Sequence, residues 1–316
     1  MSIGIGVDVS KDKVDVASSD GRWSEVFPQT EAGLYQLAQK IAAMAPHRVV
    51  LEASGGYERA LLLALVEENV PVVLVQPVRA RHFAKAIGQL AKTDAIDARV
   101  LAHMALFGVE ATPLWQPQAE SMLNLRGLVT RRQQLVLQRD NEKKRRRGAT
   151  SAVLESIERL LCFLKAELQA IEKQIIALLD QVPTLKMAVT ALESVRGVGC
   201  VTATTLLVSM PELGQVDRGE IAALAGVAPM NSESGKWKGQ RFIQGGRPAA
   251  RKALYMAALA AISHNETIKT YYAGLRARGK PGKVALVACM RKLLVHLNAQ
   301  MRALLTGGTQ VEAALG

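Results

Sequence analysis

The chain has 316 residues, with 40 Lys and Arg against 28 Asp and Glu, a formal net charge of +12, and 49% hydrophobic residues. That much apolar side chain excludes disorder as the main state, and with only 4% aromatics the core must rest on Leu, Val, Ile and Ala. No apolar run reaches membrane-span length, the opening MSIGIGVDVSKDK lacks a signal peptide's pattern, and three scattered cysteines (Cys162, Cys200, Cys289) argue against disulfides or a zinc knuckle and suit a reducing cytoplasm.

In chain order, IGIGVDV reads as a buried strand and DKVDVASSDG as an alternating one, with Asp20-Gly21 as a hairpin turn signal. WSEVFP gives a third short strand. Leu34, Leu37 and Ile41 share a helical face over 31–45. RVVLEAS (48–54) and VPVVLVQP (70–77) are strands flanking a helix over 57–69, and Arg79 to Phe107 is helical in pattern. Three strands followed by alternating helices and strands imply a mixed α/β sheet. Residues 117–182 read as two long helices joined near Gly148-Ala149-Thr150-Ser151. Leu154, Ile157, Leu161, Leu164, Leu168, Ile171, Ile175 and Leu178 keep alternating gaps of three and four, the pattern of a coiled coil, as a hairpin or a dimer seam. An ordinary amphipathic helix is the plainer reading. Pro183 ends that segment. Beyond it Gly197-Val198-Gly199, between two helices, suits a helix-hairpin-helix-like element whose amides hold a phosphate, although a simple turn accounts for the same residues. A Gly-rich basic stretch from Asn231 to Arg251 then precedes helices over 249–264 and 283–305. The expected organisation is an α/β domain (1–115), a helical coiled-coil arm (116–182) and a mainly α-helical C-terminal domain (183–316).

The charge is not spread evenly. Residues 126–147 hold nine basic and two acidic side chains, and 235–302 hold 14 basic and one acid, Glu266, whereas 1–125 hold 11 basic and 14 acidic. A single basic block is often a solvated helix face; two blocks between acidic segments point to nucleic acid. Arg145, Arg146 and Arg147 are candidates for RNA or duplex backbone, and Lys236, Lys238, Arg241, Arg247 and Arg251 for the scissile strand.

Four carboxylates stand out in the first domain. Asp8 ends the first strand and Glu52 the fourth, both after apolar residues, where an unpartnered charge is costly. Asp94 and Asp97 are three apart, so a helix puts them on one face. Any one of these can be a cap or a surface charge; Asp94 can simply cap its helix. Converging, they repel unless divalent cations neutralise them, and hard oxygen donors suit Mg²⁺ or Mn²⁺. A pair of such ions serves phosphoryl transfer. Strand-end Asp, strand-end Glu and a helical Asp pair form the layout of RNase H-like nucleases.

At these residues the sequence resembles a known family. GIGVDVSKDKVDVA, VVLEASGGYERAL and KTDAIDARVLA are similar to motifs of transposases of the insertion-sequence-110 type, kin to the Piv-type DNA invertases. GVGCVTATTLL, LAGVAP, SGKWKGQRFIQGGRPAARKALYMAALAA and GKPGKVALVACMRKLL resemble the family's C-terminal domain in the same order. The resemblance implies a RuvC-like (RNase H-like) domain whose DEDD residues Asp8, Glu52, Asp94 and Asp97 bind Mg²⁺, and a coiled-coil insertion. It implies a catalytic serine in Ser-Gly-Lys, here Ser234-Gly235-Lys236. It further implies donor and target DNA as substrates, a bridge RNA as guide, and homo-oligomers with composite sites.

From the residues alone, a serine hydroxyl needs its proton taken or its alkoxide stabilised. The cations around Ser234 can hold a scissile phosphate; Ser232 lies two residues away, and a loop serine can merely hydrogen-bond phosphate. A covalent phosphoserine would conserve the phosphodiester energy, in keeping with the lack of a GxxxxGK[ST] loop. The expectation is a bacterial, nucleoid-associated DNA recombinase, dimer or tetramer, with no membrane role. A water-using metal nuclease or junction resolvase, a non-catalytic nucleic-acid scaffold, and a Piv-like invertase without RNA are the other readings. The DNA target is not written in a protein whose specificity is delegated to a guide.

Overall fold

A computed structural model describes residues 2–89, 94–110, 112–230, 233–234, 237–238 and 242–307, with the backbone alone at 94, 95, 230, 233, 234, 237 and 238. The chain divides into two compact units, Met1–Pro117 and Gln118–Gly316. Among the described residues no single helix is long and apolar enough to cross a membrane.

The first unit runs β1 (Gly4–Val9), β2 (Lys13–Ser18), β3 (Ser24–Pro28), α1 (Glu31–Ala43), β4 (Arg48–Glu52), α2 (Arg59–Glu67), β5 (Val72–Val75), α3 (Pro77–Ala86) and α4 (Asp94–Phe107). The sheet order is β3-β2-β1-β4-β5; β1, β4 and β5 are parallel, and β2 and β3 are antiparallel additions. This mixed sheet is compatible with an RNase H-like domain. Alternation divides the strands between two layers. Ile5, Val7, Val9, Val49 and Leu51 join a core with Leu34, Leu37, Ile41, Leu61 and Leu65 of α1 and α2. Val50, Val73 and Val75 pack instead with Leu101, Met104 and Ala105 of α4. The continuous helical pattern read from Arg79 to Phe107 is interrupted. Gly88 takes φ 76°, its N–H bonds to Lys85 O at 3.1 Å and that of Gln89 to Ala84 O at 2.9 Å. These are the two bonds of a Schellman end, which closes α3.

The second unit is almost wholly helical: α5 (Glu120–Arg146), α6 (Ser151–Gln181), α7 (Pro183–Glu193), α8 (Cys200–Ser209), α9 (Arg218–Leu224), then short strands β6 (Pro229–Met230), β7 (Glu233–Ser234), β8 (Trp237–Lys238) and β9 (Phe242–Ile243), and α10 (Pro248–His264), α11 (Glu266–Ala277) and α12 (Gly282–Gly307). The long helices α5 and α6 lie side by side, tied by Arg132–Glu172 and Arg146–Glu158, each at 2.7 Å. One number rises as the other falls, so they are antiparallel. Leu135 packs with Leu164 and Leu168. Toward the end of α6 the buried position is Leu179 rather than Leu178. An undistorted helix drifts about 20° per heptad, which turns this end of the stripe into the main core, the cluster that Ile175 and Leu179 share with residues of α7, α8, α10 and α12.

Candidate active site

Strand register sets the positions of the first two carboxylates. β1 and β4 pair in parallel with Gly6 beside Val50 and Val7 beside Leu51; one further step along the same register puts Asp8 beside Glu52. The helix over them is placed by glycine. A Cβ on Gly4 would lie 2.6 Å from Ala102 O and 2.9 Å from Ala105 Cβ. On Gly6 it would lie 2.1 Å from both Ala102 N and Ala98 O. Only a side chain of one hydrogen admits α4 this close, and the facing alanines complete the fit. Two residues along β1 match about one turn back along α4, so strand and helix run in opposite directions. The same stride carries Asp8, the next residue on that face, beneath the first turn of α4, the turn holding residues 94 and 97.

Asp8, Glu52 and Asp97 are half-buried, and each engages in polar or electrostatic contacts; of Asp94 the backbone alone is described. Among the described side chains no three of His, Cys, Asp and Glu form a metal-binding group. The fit to a divalent cation therefore rests on strand register, on the placement of the α4 turn, and on hard carboxylate donors. A fifth carboxylate escaped the sequence reading. Asp15 of β2 stands directly across from Asp8, is only 6% exposed, and pairs with Lys13 at 3.0 Å. Alternation from Asp8 carried no sign of it, because it sits on the neighbouring strand.

The turn after Glu52 is built by Glu58. One Glu58 carboxylate oxygen accepts from Ser54 N at 3.1 Å, Ser54 Oγ at 2.8 Å and Gly56 N at 2.9 Å. Burial pushes this carboxyl up, but those hydrogen bonds outweigh it and hold it below the usual range. Gly55 and Gly56, at φ 79° and 113°, supply the left-handed backbone the turn needs.

The serine and cations singled out in the sequence lie in the other unit. Ser234 stands in β7, with Trp237 of β8 opposite it. Ser232, Gly235, Lys236, Gly239 and Arg241 lie outside the described residues, and of Ser234 and Lys238 the backbone alone is described. Arg247 and Arg251, read as phosphate ligands, hold the base of this region. Arg247 donates to both Glu212 oxygens at 2.5 Å and to Ser209 O at 3.0 Å. Burial raises the Glu212 carboxyl, but the Arg247 guanidinium more than offsets this and holds it low. Arg251 donates to Gly245 O at 2.6 Å. Gly246, at φ 70°, comes so close to Gly226 that a Cβ there would lie 2.1 Å from Gly226 N. At the end of α5, Arg145 pairs with Glu142, Arg146 with Glu158, and Arg147 is exposed.

Two family models match the chain. One, a DEDD-type transposase model, covers residues 5–157, and the other, described as Transposase IS116/IS110/IS902 family, covers 189–273. Two proteins named pilin gene-inverting protein, from Moraxella lacunata and Moraxella bovis, are each 26% identical over 308 residues, 94% of this chain and 95% of theirs. An uncharacterised 43.6 kDa protein of insertion element IS110 from Streptomyces coelicolor is 31% identical over 157 residues, 49% of this chain and 38% of its own.

Proposed function

The chain belongs to the IS110 family of transposases and is a DNA strand-transfer enzyme, and we propose that it works through two cooperating sites, a carboxylate cluster and a serine. Asp8, Glu52, Asp94 and Asp97 hold divalent metal, Mg²⁺ or Mn²⁺. When bound, it neutralises and orients the scissile phosphate. Ser234 Oγ gives up its proton and attacks phosphorus; the P–O bond to the leaving strand breaks, and that strand departs as a hydroxyl. A hydroxyl on the partner DNA then attacks the phosphoserine, joins the strands and returns the serine. Lys236, Lys238 and Arg241 grip phosphates around it. Guidance by a bridge RNA, self-association with composite sites, nucleoid association, and an arm separable from the two flanking domains belong to the same reading.

What supports it is the β1–β4 register, Gly6 beside Val50 and Val7 beside Leu51, which runs on toward Asp8 and Glu52, together with the close approach of α4 to Gly4 and Gly6. DNA cleavage with Ser234→Ala and Asp8→Ala proteins tests it. Ser234→Ala should give no covalent protein–DNA adduct and Asp8→Ala no cleavage. An adduct from Ser234→Ala overturns the nucleophile, and cleavage that survives chelation overturns the carboxylates. Cleavage by water, without adduct or rejoining, would mark a plain nuclease.

The near full-length similarity to pilin gene-inverting proteins favours a second reading, site-specific inversion with the same chemistry and no guide. Sequencing the RNA that co-purifies with the protein separates the two: a single structured species encoded beside the gene supports guidance, and its absence supports inversion.

A further inference from the structure

At the bend between α8 and α9 one guanidinium meets a carboxylate, and a second guanidinium lies near the first. Arg247, at the start of α10, binds both oxygens of Glu212, and its Nη1 lies 3.8 Å from Met210 Sδ. Met122 of α5 lines a small cavity with Met210 and Pro211. Arg126 is one turn further along α5, between the buried Leu125 and Val129. It is half-buried and near enough to Arg247 for the two charges to repel, and burial and that repulsion both lower its pKa. Arg247 is neutralised by Glu212. Among the described residues Arg126 has no carboxylate partner and no hydrogen bond.

We propose that Arg126 is a phosphodiester-binding residue, which holds one backbone phosphate of the bound nucleic acid beside the Glu212–Arg247 pair. A half-buried guanidinium with a like charge beside it is a cost in the free protein. An anion brought to it removes that cost, and the planar fork of arginine matches phosphate oxygens in pairs. The surrounding charge selects a polyanion, since Arg126 opens the basic block 126–147 and Arg247 belongs to the block with 14 basic residues and one acid. The assignment rests on the nucleic-acid reading above and adds to it a contact on α5, remote in sequence from both Ser234 and the Arg145–Arg147 run.

The test is equilibrium binding of the full chain to a labelled DNA duplex and, separately, to an RNA strand of matching sequence, each over a salt series. Arg126→Gln should weaken binding roughly five- to tenfold at moderate salt and lower the slope of log K against log salt by about one in the arm whose phosphate it holds. Loss in one arm alone names the nucleic acid; loss in both marks a contact with either. Its melting temperature should hold or rise, because a like charge has been removed. Arg126→Lys should recover part of the affinity, and Arg159→Gln, in an exposed pair with Glu155 on α6, should bind like the parent. Parental affinity and slope for Arg126→Gln in both arms overturn the proposal. So does a lowered melting temperature with unchanged binding, which would make Arg126 a packing residue. If the parent chain binds neither nucleic acid, the wider reading falls, a result distinct from an indifferent Arg126→Gln.

Discussion

The carboxylates and the serine stand on supports of opposite kinds. Asp8 stands one residue before the end of β1 and Glu52 ends β4, parallel strands of a five-stranded sheet, and α4 is locked onto that sheet by backbone contact at Gly4 and Gly6. Ser234 stands on a two-residue strand, and the base of its region is held by side chains, Arg247 on Glu212 and Arg251 on Gly245. Backbone packing is indifferent to salt and pH; an ion pair is not. The first site should therefore fail only when its steric fit is broken, and the second should be tunable by solution conditions.

The sharpest way to break this contrast is Gly6→Val. No flexible atom lies where its Cβ would go, and overpacking of this kind costs about 3 kcal/mol or more. Urea denaturation should show the loss, and a parental midpoint would disprove the close approach. Next is Glu212→Ala. It leaves Arg247 without its carboxylate; because the pair is about one-third exposed, the loss should be about 1–2 kcal/mol, with DNA cleavage reduced while metal-dependent behaviour of the carboxylate site persists. Loss of both together would merge the two supports.

Acid provides the graded version. The folded-state pKa of Glu212 is depressed below 4.5, so its contribution is fully present above the ordinary carboxylate pKa and disappears as pH falls through the lowered value. Hydrogen exchange at Arg247 N–H, which bonds Leu224 O at 2.9 Å, should accelerate over that descent before the amides of β1 do. Equal acceleration at both would sink the distinction. The smallest effect is expected at the arm. Replacing Arg145, Arg146 and Arg147 by Gln removes an exposed pair with Glu158 and a half-exposed one with the buried Glu142, so stability should fall by about 1 kcal/mol, while the salt slope of nucleic-acid binding flattens. An unchanged slope takes that run out of the interface.

Legibility in the sequence follows the same division. The five strands, the strand-end carboxylates and the two long helices were readable, because period and position are local properties of the chain. So was the start of α9, in principle: Asp217 and Glu220 form a capping box, but seven residues are too few to show a period. Asp15 opposite Asp8, the glycine fit of α4, the Arg247–Glu212 tie across 35 residues and the charge of Arg126 depend on what lies beside a residue in space. Arg247 reads from sequence as a phosphate ligand, and only the fold shows its carboxylate partner.

The opposed run of β1 and α4 makes the helix a rigid rod with its carboxylates at one end and a steric stop toward the other. Gly4 faces Ala102 and Ala105, and Ala105 is eight residues, about 12 Å of helix, from Asp97. A methyl group added at Gly4 would tilt that rod from its far end. The change would reach the chemistry as a displaced ligand rather than a lost one, so it should appear as a higher metal requirement that added Mg²⁺ repairs.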